Sequence, residues 1–206
     1  MDSTLSGFTP IGATTLLAPL PVVLVSCQGT SPDLRIPNLI TVAWTGIVCS
    51  NPPMLSISLK PQRHSYRQIL ESQCFCVNLV DRSLCRATDY CGVKSGRDIN
   101  KFETLDLHPL YLPDFDAPAQ AEAPAFLCCR VSEIKELGSH TLFLANIKES
   151  YVRTTLMSDR QVNLENAHLI SYAHGQYYPV SPSSLGFFGY SVARKKTLKR
   201  RTAKKR

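Results

Sequence analysis

Between Asn38 and Lys60 the chain runs NLITVAWTGIVCSNPPMLSISLK, and this stretch restricts the fold more than any other. Leu39 to Trp44 and Met54 to Leu59 are β-type runs, and in the second Met54, Ser56 and Ser58 alternate with Leu55, Ile57 and Leu59. A period of two is that of a half-buried strand. Similar runs recur at Pro21–Cys27, Phe75–Val80, Ala125–Val131, Thr141–Ile147 and Asn166–Tyr172, the long pair 125–147 turning around Leu137-Gly138. The helical patterns are short: one after Ser65, which is placed to cap it, and two around Ser83–Tyr90 and Asp98–Leu105. A Pro-, Asp- and Ala-rich loop is expected over Pro109–Pro124. Many strands without regular βαβ alternation predict a mainly β fold, an antiparallel barrel or sandwich.

At 206 residues, 44% hydrophobic and 19% charged, the chain can bury one real core. We expect a single domain over 1–193. The net charge of +7 belongs to the end of the chain: nine of the 23 Lys and Arg fall between Arg194 and Arg206, with no acid among them. The remaining body carries 14 basic and 16 acidic residues, so its positive charge does not form the folded patch expected of a nucleic-acid protein. Residues 194–206 read as a disordered solubilising tail, or as a contact for RNA, acidic lipid or an acidic partner. No apolar run reaches the roughly 18 residues needed to span a bilayer, and Leu16–Val25, which holds Pro19 and Pro21 with no basic residue before it, makes a poor signal peptide. A cytoplasmic location is expected.

Eight cysteines include no CxxC pair. Cys128 and Cys129 are adjacent in a strand and should point to opposite faces. Most lie among apolar neighbours, so reduced thiols acting as small hydrophobes are favoured over a disulfide scaffold. Nucleotide-binding glycine loops, the nucleophile elbow and the HExxH motif are all absent.

The Thr41–Ser50 segment nevertheless has the make-up of a site. Thr41, Thr45 and Ser50 bring hydroxyls, Gly46 permits close approach, and Trp44 is a flat apolar wall. The mixture suits a planar ligand bonded along its edge and packed on its face; an ordinary core hairpin is the alternative.

Asn38-x-x-Thr41-x-Ala43-Trp44-Thr45-Gly46, then Cys49-Ser50-x-Pro52-Pro53 and Lys60-Pro61-x-Arg63-x-Ser65, resemble in order the flavin reductase-like, FMN-binding split-barrel family, its flavoredoxins above all. Phe75-x-Val77-Asn78-Leu79, Asp89-x-Cys91-Gly92-x-x-Ser95-Gly96-Arg97-Asp98-x-x-Lys101-Phe102 and Gly138-Ser139-His140-x-Leu142-Phe143 continue it, from about Pro21 to Gly189. The resemblance implies a six-stranded antiparallel Greek-key split barrel with a few short helices, and a homodimer with flavin near the subunit interface. It implies that Trp44, Thr45, Gly46, Cys49 and Ser50, with Thr41, face the flavin. Arg63 and Ser65, heading a helix, would take the FMN phosphate, and Ser95, Lys101 and Phe102 would lie near the ring or its tail. His64 is left open between the site and solvent. His140 would help hold NAD(P)H, but Ser139 stands where the family carries Asp, and Asn146 where it usually carries Gly. Two activities follow from the resemblance: an FMN-dependent reductase fed by NAD(P)H, or an electron carrier that exchanges with a protein redox partner and uses no nicotinamide. A third reading keeps the barrel without flavin. No metal site and no obligatory catalytic acid or base is expected.

Overall fold

The computed structural model describes residues 7–158 and 161–195. The expected tail at 194–206 lies outside these from residue 196 onward. Fourteen strands lie among the described residues, the first seven being β1 (Leu20–Pro21), β2 (Val23–Cys27), β3 (Asn38–Val42), β4 (Thr45–Ser50), β5 (Pro53–Leu59), β6 (Cys74–Leu79) and β7 (Pro109–Leu112). Then come β8 (Phe115–Gln120), β9 (Ala125–Glu136), β10 (Thr141–Val152), β11 (Met157–Ser158), β12 (Gln161–Val162), β13 (Ile170–Ala173) and β14 (Gln176–Pro179). Among the described residues three α-helices are inserted: α1 (His64–Ser72), α2 (Cys85–Val93) and α3 (Lys101–Thr104). No helix among the described residues is long and apolar enough to cross a membrane.

Seven strands form one antiparallel sheet in the order β3-β2-β6-β9-β10-β5-β4. Its two edge strands are consecutive in the chain, with only Ala43 and Trp44 between them. Three Cα steps span at most about 11 Å, so the sheet must curl until its edges nearly meet. The Trp44 carbonyl accepts the Ser58 amide at 2.9 Å on one side of that seam. Register shifts between Leu144 and Ala145, and between Ile147 and Glu149, add to the bend. The sheet has one strand more than the expected six. The addition is β4, which lies between the two β-type runs Leu39–Trp44 and Met54–Leu59. Most of its residues are exposed, so it lacks the apolar alternation that marks a strand.

Strands buried on both faces read as unbroken apolar runs. In β2, Val23, Val25 and Cys27 point into the barrel with Ile57, Ile69, Phe75 and Phe143. Leu24 points outward with Leu39 under α2 and α3, against Ala87, Cys91 and Phe102. Cys129 packs inside and Cys128 outside, on opposite faces as expected. The outer layer over Cys74, Cys76 and Cys128 is Ala117 and Ala119 of the β7–β8 hairpin. That hairpin replaces the loop expected at 109–124. Its short Pro- and Ala-rich strands carry a weak pattern because they cover a sheet rather than build a core. All eight cysteines are free thiols.

The alternation in β5 is present as read, with Leu55, Ile57 and Leu59 inside. Ile57→Val should lower stability by about 0.5–1.5 kcal/mol, measured by urea unfolding, because one buried methyl is lost from a site that partly relaxes. A neutral result contradicts its central packing.

Candidate functional site

The seam between β3 and β4 opens onto two joined clefts. The first, about 510 Å³, is lined by Asn38 and Ile40 of β3, the 60–65 segment entering α1, and the 94–98 loop after α2. Lys60, Arg63, Lys94, Arg97 and Lys101 line it, with Asp98 the only acid. Lys60, Arg63, Lys94 and Arg97 are exposed and form no ion pair with any described residue. Arg97 is aimed by a bond from Nη2 to the Gln62 carbonyl at 2.9 Å. At the head of α1 the His64 and Ser65 amides have no intrahelical acceptor.

Ser65 is not the helix cap. The helix begins one residue earlier, at His64, with Arg63 in the capping position and no side-chain cap bond. Ser65 Oγ instead accepts from Asn38 Nδ2 at 2.8 Å, fixing α1 to β3 beneath the cleft. Asn38 Oδ1 is buried with no hydrogen-bond partner in the structure. The backbone at Gly96 comes so near that an added Cβ would lie 2.4 Å from that oxygen. The 94–98 loop therefore needs glycine here.

The second cleft, about 420 Å³, shares Ile40, Lys60 and Arg63 with the first and runs along the seam. Trp44 and Val42 form one side, Gly92 of α2 another, and His140 and Tyr177 close it. The His140 ring lies 4.6 Å from the Trp44 ring, centroid to centroid, at 39°. Burial, followed by the Lys60 charge, holds His140 below the usual histidine value, so it is neutral at pH 7. Tyr177 Oη bonds Asp89 at 3.3 Å; burial first, and then the carboxylate, push that phenol up to about 12. Thr41 lines the cleft, and its hydroxyl is donated to the Thr88 carbonyl of α2.

Other expected residues fall elsewhere. Thr45 and Gly46 line a third, mostly apolar cavity of about 490 Å³, which shares Ala43, Trp44 and Ser58 with the second cleft. Thr45 Oγ1 donates to the Ser56 carbonyl at 2.8 Å. Cys49 and Ser50 lie farther along β4 and line none of the three. Phe102 is a core residue under α2, only 2% exposed, and also lines none. Ser95 lines the first cleft and accepts the Arg97 amide at 3.2 Å. Lys101 lines it too, but two of its N–H groups are committed, to the Leu39 carbonyl at 2.7 Å and the Cys91 carbonyl at 2.9 Å. The ammonium is a bracket joining α3 to β3 and α2, with one donor left, and burial lowers its proton affinity.

Lys60, Asp89 and Arg97 are visible as motif letters but not as site residues. Lys94 and the Tyr172–Tyr177 pair give no signal at all. The tyrosines meet edge-on at 5.5 Å across the β13–β14 hairpin, some 80 residues from α2 in the chain.

Residues 16–181 match the family described as the flavin reductase like domain. Flavoredoxin of Desulfovibrio vulgaris (Miyazaki F) is similar in structure, with a TM-score of 0.82 and 29% identity, over 89% of this chain and 99% of that one. An uncharacterised protein of Aeropyrum pernix is 30% identical over 110 residues, 53% of this chain and 42% of its own length. The reductase component of a 4-nitrophenol 4-monooxygenase/4-nitrocatechol 2-monooxygenase of Rhodococcus opacus is 26% identical over 119 residues, 58% of this chain and 60% of that protein. The chain thus spans about half the length of the curated relatives it matches.

Proposed function

Because this chain belongs to the flavin reductase-like domain family, we propose that its joined clefts hold one FMN and pass electrons through it. The electrons come from NAD(P)H or a redox partner and go to free flavin or another acceptor. The observation that carries this reading is the four exposed cations without counter-ions in one cleft, continuous through Lys60 and Arg63 with the cleft walled by Trp44. Both volumes fall in the roughly 300–1,000 Å³ range of small-molecule sites. The first suits a phosphate: guanidinium and ammonium groups, free amides at a helix head, and a glycine-tight loop converge on it. The second suits a ring system whose edge is hydrogen-bonded, with an indole face beside the polar groups of Thr41, Ser58 and Lys60.

The flavin supplies the redox chemistry; the protein supplies position and field. Trp44 fixes the plane of the ring. Lys60 and Arg63, where the clefts join, stabilise negative charge on the ring's edge as well as on the phosphate. Gly92 lets α2 come close without a side chain between. No residue serves as an obligatory acid or base. The neutral His140, seated on Trp44, is the nicotinamide contact. His140→Ala should raise KM for NAD(P)H several-fold and leave flavin content unchanged, in steady-state assays with absorbance of the purified protein. Loss of flavin in that variant overturns the assignment.

A second reading, an electron carrier that uses no nicotinamide, is favoured by Ser139, which puts a hydroxyl 2.9 Å from His140 Nδ1 where an acid would hold the ring more strongly. Anaerobic titration decides between them. Bleaching by NADH or NADPH identifies a reductase; bleaching only by dithionite or a reduced protein partner identifies the carrier. The same reading includes a homodimer. Ile47 and Val48 are 67% and 51% exposed on β4, an edge strand with one unpaired side. Light scattering of the purified protein should give twice the chain mass, and a monomer contradicts it.

A further inference from the structure

His64 sits at the first residue of α1 and lines the cationic cleft, and its Nδ1 is buried with no hydrogen-bond partner in the structure. A buried ring nitrogen without a partner is costly unless a ligand satisfies it. Its surroundings decide which ligand. Arg67 faces it from its own helix, Lys60 and Arg63 from the preceding segment, Lys94, Arg97 and Asp98 from the loop after α2, and Lys101 from α3. Asp33, the acid beside α1, is already paired with Arg67 at 3.2 Å. The imidazole therefore lies in a field of net positive charge, which an anion in the cleft offsets.

We propose that His64 is a proton-accepting ligand of the flavin phosphate: when the phosphate enters, the imidazole takes one proton from solvent and, now charged, donates a hydrogen bond to a phosphate oxygen. The inference rests on the flavin reading of the clefts and adds to it a residue that distinguishes phosphorylated from unphosphorylated flavin. Without ligand, burial above all, then the Arg97, Arg67 and Lys101 charges, hold the ring below the ordinary histidine value, so it stands neutral at pH 7. A phosphate monoester brings a charge of about −1.5 to −2, which favours the charged imidazole. The sign follows from linkage: binding takes up protons, so affinity for FMN weakens as pH rises between the free and bound values of His64. Riboflavin, lacking the phosphate, should show neither effect. The phosphate bond, rather than the ring contacts, then carries the pH dependence.

Calorimetric titration of the flavin-free full chain with FMN, repeated in two phosphate-free buffers of different ionisation enthalpy, counts the protons. It should be run at about pH 7.5, where a monoester with a second pKa of about 6 has almost no proton of its own to release. Wild type should take up a fraction of a proton with FMN and none with riboflavin. His64→Gln, which keeps hydrogen-bonding capacity but does not titrate, should bind FMN with no uptake and roughly tenfold more weakly. Equal heats for wild type in both buffers overturn the inference while leaving the flavin reading intact; so does uptake that persists in His64→Gln. Absence of any FMN binding by wild type sinks the flavin reading itself.

Discussion

Arg63→Ala should weaken FMN binding by roughly 10- to 100-fold, about 1.5–3 kcal/mol, the value of hydrogen bonds to a charged group. Arg63 lines both clefts, is exposed to the ligand space, and has no ion-pair partner among the described residues. No described residue consumes its guanidinium, and the fold loses little when it is removed. A planar fork can meet two phosphate oxygens at once, which an ammonium cannot. Arg63→Lys should therefore recover only part of the loss. Equilibrium titration with FMN, alongside thermal unfolding without ligand, separates the contributions: affinity falls and stability holds. If Arg63→Ala retains wild-type affinity, the phosphate is not in the first cleft.

Lys101→Ala should act in the opposite way. The side chain is 2% exposed, and its Nζ bonds two carbonyls that otherwise have water excluded from them. Removing it leaves two buried acceptors short of a donor, at about 1–3 kcal/mol each, so the loss of stability should be about 2–5 kcal/mol. Lys101→Met keeps the aliphatic stem and isolates the bonding part of that loss. Urea unfolding of the flavin-free protein measures both. Unchanged stability with a collapsed affinity for FMN would show the ammonium to be a ligand rather than a bracket.

The sequence announces the β5 strand plainly, since Leu55, Ile57 and Leu59 alternate with residues facing out. Cys128 and Cys129 likewise had to separate onto two faces of β9, and both sides proved to be buried by different layers. What pattern could not reveal was β4, because an edge strand with Gly46, Ile47 and Val48 exposed carries no burial period. Ser65 illustrates a different limit. Its residue type suits a helix cap, but Asn38, 27 residues earlier, claims the hydroxyl and the helix starts before it. The site was legible where it is local, at Thr41 and Trp44 and at Arg63. It was illegible where closure of the barrel brings distant chain together, as with Lys94, Arg97 and Tyr177 around the segment 60–63. Phe102 and Lys101 share a motif with Ser95, but helical geometry sends the phenylalanine into the core and the lysine toward two carbonyls.

The chain has one tryptophan, and it forms the wall of the second cleft. Its fluorescence therefore reports on this one place. Titrating flavin-free protein with FMN should quench Trp44 emission saturably, at one flavin per chain, with riboflavin quenching only at higher concentration. Emission that does not change with FMN, beyond the inner-filter absorption seen with free tryptophan, contradicts a flavin ring packed at the seam.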